Sequence, residues 1–343
     1  MSTTEMPTDH SDYDYNYDTN APCAMGSARN SGELLLPVLY SLVFLFGLPG
    51  NALVLWIFGR YRRPRTMTDI CLLNLAISDL LFVISLPFWA YFVVNQWIFG
   101  DAFCKIINAF YMLGYYGSIM FISLISVDRY LAIVHAVFSI RRRNIVHGLI
   151  SSLVMWCFAL LASLPSLIFT HVISMEGRYV CHFFAPNDKW RLFTIFRDNA
   201  LGFLVPLVII FFCYINIVIT LLKNRSKKKH RAIKVIFIVV ISFFVCWTPH
   251  NIVMLLMSLK NLHVISGCDI NVRLSIAQQI TESFTFVHCC LNPIIYAFVG
   301  QNFRSDIRRL FHLLSTCGLK AYNKDQFTSR EVISSDNKSA SVM

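Results

Sequence analysis

Seven long apolar stretches constrain this chain more than any other feature: residues 34–59, 69–94, 103–134, 146–170, 192–222, 233–259 and 273–299. Each is long enough to cross a hydrocarbon core about 30 Å thick. In lipid the backbone has no water to bond, so each stretch must be helical. The expectation is an all-α bundle of seven transmembrane helices over 34–300. Composition agrees, with 56% hydrophobic and 14% charged residues, against about 25% charged in an ordinary soluble domain. No basic segment followed by a short apolar core opens the chain. A cleavable signal peptide is therefore not expected, and the first span would act as the insertion signal.

The net charge is +11, but where the charge sits matters more than its sum. Arg60, Arg62, Arg63 and Arg65 follow the first span, and Arg141, Arg142 and Arg143 follow the third. Lys223, Arg225, Lys227, Lys228, Lys229 and Arg231 follow the fifth; Arg304, Arg308 and Arg309 follow the seventh. With seven spans all four clusters fall on one side, which the positive-inside rule makes cytoplasmic. The N-terminus is then extracellular and the C-terminus cytoplasmic, in a multi-pass plasma-membrane protein. Basic loops of this kind need no nucleic-acid partner.

The flanking segments are polar. Residues 1–33 read as a disordered extracellular acidic tail, in which Asp12 to Asp18 alternates Tyr with acid. Residues 301–314 carry Phe303, Ile307, Leu310, Phe311 and Leu314 at helical spacing among basic residues. That pattern describes an amphipathic helix lying on the inner membrane surface, in contact with lipid. Cys317 at its end is a candidate for lipidation. Residues 315–343 read as a disordered cytoplasmic tail holding Thr328, Ser329, Ser334, Ser335, Ser339 and Ser341. It is a plain solvated tail or a phosphorylated regulatory one, and both can hold.

Charged residues inside spans are costly and functional by default. Those expected here are Asp79, Asp128 with Arg129, and Glu282. Asp79 lies deep in the second span, with Asn51, Ser118, His288 and Asn292 as candidate neighbours. A sodium ion is one guest for it; a protonated, hydrogen-bonded carboxyl is the other reading. Asp128 can hold Arg129 in a charge-assisted pair at the end of the third span. Pro249 and Pro293 each remove a helix hydrogen bond and permit a kink. Of the 11 Cys, six lie within apolar stretches and read as small core residues: Cys71, Cys157, Cys213, Cys246, Cys289 and Cys290. Cys23, Cys104, Cys181 and Cys268 lie outside them, and no spacing reads as a zinc site.

The run Asp128-Arg-Tyr-Leu-Ala-Ile-Val-His-Ala-Val137 resembles the third-helix terminus of chemokine receptors, within the rhodopsin-like G-protein-coupled receptors. Gly50-Asn51, Leu75-Ala-Ile-Ser-Asp79, Cys246-Trp-Thr-Pro249 and Asn292-Pro-Ile-Ile-Tyr296 look like the same superfamily. Residues 288–300, His-Cys-Cys-Leu-Asn-Pro-Ile-Ile-Tyr-Ala-Phe-Val-Gly, are similar to CC-type receptors in particular. The resemblance spans about residues 23–312.

The resemblance implies disulfides Cys104–Cys181 and Cys23–Cys268, which an extracellular setting would oxidise. It implies sulfation of Tyr13, Tyr15 and Tyr17, on a tail that steers a basic CC chemokine electrostatically. Glu282 would meet the ligand's amino-terminal amine or a basic drug, with Tyr40, Trp89, Tyr111 and His250 lining the same cavity. Trp247 would sense ligand, and Tyr214 and Tyr296, near the inner ends of their spans, would close over Arg129 in the active state. The implied function is chemokine-driven activation of a heterotrimeric G protein of the inhibitory class, with calcium signalling and leukocyte chemotaxis. Arrestin and receptor kinases would act at the C-terminal tail. The alternative is a scavenging or decoy receptor without G-protein signalling, against which the intact Asp128-Arg129-Tyr130 run argues. No nucleophile–base pair points to an enzyme.

Three departures from the family pattern stand out. Ser85-Leu-Pro87 replaces the usual Thr-x-Pro, and Ser can still bond its own helix backbone. His250 stands where Tyr is common, which would make the pocket sensitive to pH. Residues 223–234 hold no Asp or Glu, so an acid on helix six that locks Arg129 is not available.

Overall fold

The computed structural model describes residues 26–62, 66–135, 145–175, 177–223, 227–262, 264, 267–299, 305, 307 and 308. Side chains are described for these except 26–34, 61, 62, 227–236, 261, 268, 271 and 296–299. Seven helices run through the described residues: α1 Gly26–Ile57, α2 Met67–Val94, α3 Gly100–Val134, α4 Ile145–Phe169, α5 Asp188–Lys223, α6 Lys227–Asn261 and α7 Cys268–Val299. They cover the seven apolar stretches, with ends that move by a few residues. The largest shift is at α1, which begins at Gly26, so residues 26–33 of the expected tail are helical.

Between α4 and α5, where the sequence predicts a loop, the chain forms an antiparallel hairpin: β1 Thr170–Met175 and β2 Arg178–Phe183. Gly177 turns it with a φ of +77°, a conformation open to glycine without a Cβ clash. A disulfide joins Cys181 of β2 to Cys104 in the first turn or so of α3. The hairpin is thereby fastened across one end of the bundle. Cys23 and the Cys268 side chain lie outside the described residues, as does nearly all of the 301–314 helix and the whole 315–343 tail.

Local sequence explains the helix ends and irregularities. Thr66 caps α2: its hydroxyl accepts from the Asp69 N–H, while Asp69 accepts from the Thr66 N–H. This reciprocal pair satisfies two otherwise orphaned donors. Ser85 donates to the Phe82 carbonyl at 2.6 Å just before Pro87, the back-bond expected at that kink. Within α5, residues Ala200–Leu204 form one π-turn between two α-helical parts. That turn sets Gly202 against the Tyr115 ring, where any Cβ would overlap the phenol.

The helices close into a ring around α3, which packs on α2, α4, α5 and α6, while α7 packs on α1 and α6. Glycine permits a close approach of α3 to α2: a Cβ on Gly114 of α3 would lie 2.6 Å from the Phe82 Cβ and 2.9 Å from the Ser78 carbonyl of α2. Small residues at helix contacts are how bundles pack when lipid removes the hydrophobic drive between helices. Large apolar side chains such as Leu153, Val208, Phe211 and Val245 point outward, while Asn51, Asp79, Ser118 and His288 are buried. Polar inside and apolar outside inverts the soluble pattern. Six of the helices, α1 to α6, are long and apolar enough to cross a membrane. On α7, Ser283, Thr285, His288 and Asn292 are buried in the interior.

Candidate functional site

A cavity of about 350 Å³ opens beneath the hairpin. Its walls include Tyr40 from α1, Trp89 from α2, Tyr111 from α3 and Glu282 from α7, with His182 and Phe183 of β2 above. Tyr40 meets Phe286 edge-on at 4.7 Å, and Tyr111 stacks on Phe82 at 4.9 Å. The result is an aromatic box with one acid in it, the composition of a site for a ligand cation. Burial lowers the His182 pKa below its usual value. Sequence reasoning missed His182 and Phe183; the one signal for them was Cys181 beside them, marking where this loop is tied to the bundle. His250 lies outside this lining: its ring meets the edge of Trp247 at 6.0 Å.

Below the cavity Trp247 is the hub of an aromatic chain. It stacks on Tyr115 at 4.2 Å and on Phe243 at 5.7 Å, and meets His288 at 5.6 Å. Pro249 sits inside α6 and Pro293 inside α7. A Cβ on Gly50 would lie 3.2 Å from Pro293, so α1 presses against the α7 proline where the helix can bend.

His288 leads from this hub to Asp79, its Nε2 3.8 Å from the carboxylate. Asp79 is fully buried; Ser118 donates to one oxygen and Asn292 to the other, each at 2.8 Å. Asn51 is engaged elsewhere, donating to the Gly47 and Cys289 carbonyls at 3.0 and 2.9 Å. Asp79, His288 and Cys289 bring one ligand atom each within 4.8 Å of one another. The Ser118 hydroxyl adds an oxygen beside that cluster, while Asn292 presents its amide nitrogen to Asp79. A hard cation such as sodium would draw on the buried Asp79 carboxylate and the Ser118 hydroxyl, the two oxygen ligands brought together here.

At the end of α3 away from the hairpin, Thr68 donates to Asp128 at 2.5 Å. The Arg129 guanidinium lies 3.7 Å from the same carboxylate and also hydrogen-bonds the Thr68 hydroxyl. Tyr130 bonds His135 at 3.0 Å and meets Phe212 of α5. Tyr214 is buried nearby on α5, its ring 5.2 Å from Phe237 of α6. The Tyr296 side chain, Tyr13, Tyr15, Tyr17 and Cys317 lie outside the described residues.

One correction concerns the charges inside the bundle. Besides Asp79, Asp128, Arg129 and Glu282, α5 buries Arg197 beside Asp198, paired at 2.6 Å. The sequence reading passed over both because they lie in the polar outer part of an apolar stretch. The only signal was an Arg-Asp pair five and six residues past the start of the 192–222 stretch.

The profile of the "7 transmembrane receptor (rhodopsin family)" matches residues 50–296. The human C-C chemokine receptor type 4 is 46% identical over 314 residues, 89% of this chain and 87% of that protein. The human C-C chemokine receptor type 1 is 43% identical over 316 residues, covering 90% and 89% of the two chains. The human C-C chemokine receptor type 8 is 43% identical over 302 residues, covering 88% and 85%. The chain belongs to the rhodopsin family of seven-transmembrane receptors, among its C-C chemokine receptors. It is a multi-pass plasma-membrane receptor and not an enzyme.

Proposed function

We propose that this receptor binds a basic CC chemokine at its extracellular face and activates a heterotrimeric G protein of the inhibitory class. Calcium signalling and leukocyte chemotaxis follow from that coupling. The observation that carries the reading is the pairing of two features along one bundle: Glu282 in an aromatic cavity under the hairpin, and Arg129 held by Asp128 and Thr68 at the far end. The basic clusters after the first, third, fifth and seventh spans support a cytoplasmic Arg129 end.

In this reading Tyr13, Tyr15 and Tyr17, sulfated, draw the chemokine core to the tail, and the ligand's amino terminus enters the cavity to meet Glu282. A ligand that binds the open bundle better than the closed one shifts the population between them. Trp247 and the Pro249 and Pro293 bends carry that shift inward, and Arg129 leaves Asp128 for the G protein. Asp79, Ser118 and Asn292 would hold a sodium ion in the resting bundle, adding positive charge that steadies the buried carboxylate. Arrestin and receptor kinases act on the Ser and Thr of the C-terminal tail, with Cys317 lipidated beside it.

A panel of labelled CC chemokines on cells expressing the chain, read together with inhibition of cAMP formation, tests the reading. Binding with cAMP inhibition supports it. Uptake of ligand without cAMP inhibition or calcium flux would make the receptor a scavenger instead.

A further inference from the structure

On the α7 side of Asp79 the neighbours are nitrogen and sulfur, ligands that suit sodium poorly. Asp79, His288 and Cys289 are all buried, and their ligand atoms lie within 4.8 Å of one another. His288 Nδ1 bonds the Thr285 carbonyl of its own helix. A carbonyl only accepts, so Nδ1 carries the proton and Nε2 presents a bare lone pair. A backbone bond at the far nitrogen is also how metal-ligating histidines are held. That Nε2 lies 3.4 Å from the Cys289 Sγ and 3.8 Å from the Asp79 Oδ1.

Those separations suit zinc. Its bonds of about 2.0–2.3 Å, arranged as a tetrahedron, set ligand atoms roughly 3.3–3.6 Å apart. The edges from His288 to Cys289 and to Asp79 are near that spacing already. Neighbouring groups hold the three ligands. Ser118 and Asn292 each donate to Asp79 at 2.8 Å, and Asn51 donates to the Cys289 carbonyl at 2.9 Å. The rings of Phe82, Phe243 and Trp247 meet the His288 ring at 5.6, 5.5 and 5.6 Å. The adjacent Cys290 turns away, its thiol donating to the Val43 carbonyl of α1 at 3.3 Å.

We infer that Asp79, His288 and Cys289 form a zinc site, with water in the fourth position. The inference rests on the reading of Asp79 as a cation site and adds a softer guest that competes with sodium for the same carboxylate. On binding, the Cys289 S–H bond breaks, its electron pair forms the sulfur–zinc bond, and the proton leaves to water. Thiolate and carboxylate then balance the two charges of the ion, so no net charge is left buried. Zinc held this way joins α2 to α7 beside Trp247 and stabilises the resting bundle.

The test uses the full-length receptor, without an affinity tag, in lipid nanodiscs, with zinc and cobalt(II) as probes at constant ionic strength. Cobalt should give the near-ultraviolet charge-transfer absorption of a thiolate ligand, and zinc should displace it. Zinc should also raise the thermal unfolding midpoint. Cys289→Ser should lose the cobalt absorption and weaken zinc by at least about tenfold, the scale on which even outer partners of a metal site act. Cys290→Ser should keep both. No thiolate absorption in wild type would overturn the inference, as would zinc binding in Cys289→Ser equal to wild type. If Cys289→Ser does not fold, His288→Asn takes its place, and zinc binding unchanged there would overturn the inference equally. Replacing choline with sodium should weaken zinc. Zinc that depends on Cys289 but ignores sodium would fault the sodium reading and support the zinc site.

Discussion

Thr68 on α2 and Asp128 on α3 are joined by a 2.5 Å hydrogen bond, and the same threonine hydroxyl is bonded to Arg129. The two helices are thus tied at the end of the bundle away from the hairpin. The sequence supplies no acid in 223–234 to restrain Arg129 from α6. In the proposed reading Thr68 does part of that work from α2. Thr68→Val should raise agonist-independent nucleotide exchange several-fold, because a hydrogen bond to a charged group contributes about 1.5–3 kcal/mol. Basal exchange in membranes measures it, and an unchanged basal rate would remove Thr68 from the restraint.

Glu282 is the acid of the aromatic cavity. Replacing it with Gln keeps shape and removes charge. Agonist efficacy should fall more than docking affinity, since the tail still holds the chemokine core. Paired binding and cAMP curves separate the two effects; full efficacy in Glu282→Gln would mean the cavity acid is not used.

The tail prediction concerns long-range attraction. Tyr13, Tyr15 and Tyr17 changed together to Phe should weaken chemokine binding and flatten its dependence on salt. Association rates at low and high ionic strength report this. Equal affinity and equal salt dependence would deny the tail a role.

Gly202 makes a prediction about packing. Ala there would drive a methyl into Tyr115, whose ring cannot withdraw because it stacks on Trp247. Overpacking of this kind costs about 1–3 kcal/mol. Gly202→Ala should lower the unfolding midpoint of purified receptor, and adding Tyr115→Phe should restore part of the loss. No change in the single mutant would contradict the close approach of α5 to α3.

Sodium offers a cation-removal test. With Asp79, Ser118 and Asn292 holding the ion, replacing sodium by choline should raise agonist affinity in wild type and leave Asp79→Asn unaffected. Identical responses in the two would exclude the site.

Much of this architecture was legible because a membrane leaves few choices. Runs such as 69–94 and 146–170 have one outcome in lipid, and α2 and α4 follow them within a few residues. What sequence could not supply was rotation and local tertiary pairing. Whether His250 faced the cavity or Trp247 depended on the azimuth of α6, which Pro249 perturbs. The hairpin was hidden because its strands are short and stabilised from outside, by the Cys104–Cys181 bond and by Asp101 accepting the Val172 N–H at 2.9 Å. Arg197 and Asp198 read as the polar edge of a span until the fold enclosed them.

The account rests on a bundle that carries ligand binding under the hairpin to Arg129 at the opposite end. The most direct measurement is chemokine-stimulated guanine-nucleotide exchange on an inhibitory-class G protein, in membranes bearing wild type or Arg129→Ala, with chemokine binding recorded on the same preparations. The account predicts stimulated exchange in wild type, none in Arg129→Ala, and binding that stays within a few-fold. Stimulated exchange that persists undiminished in Arg129→Ala would contradict it.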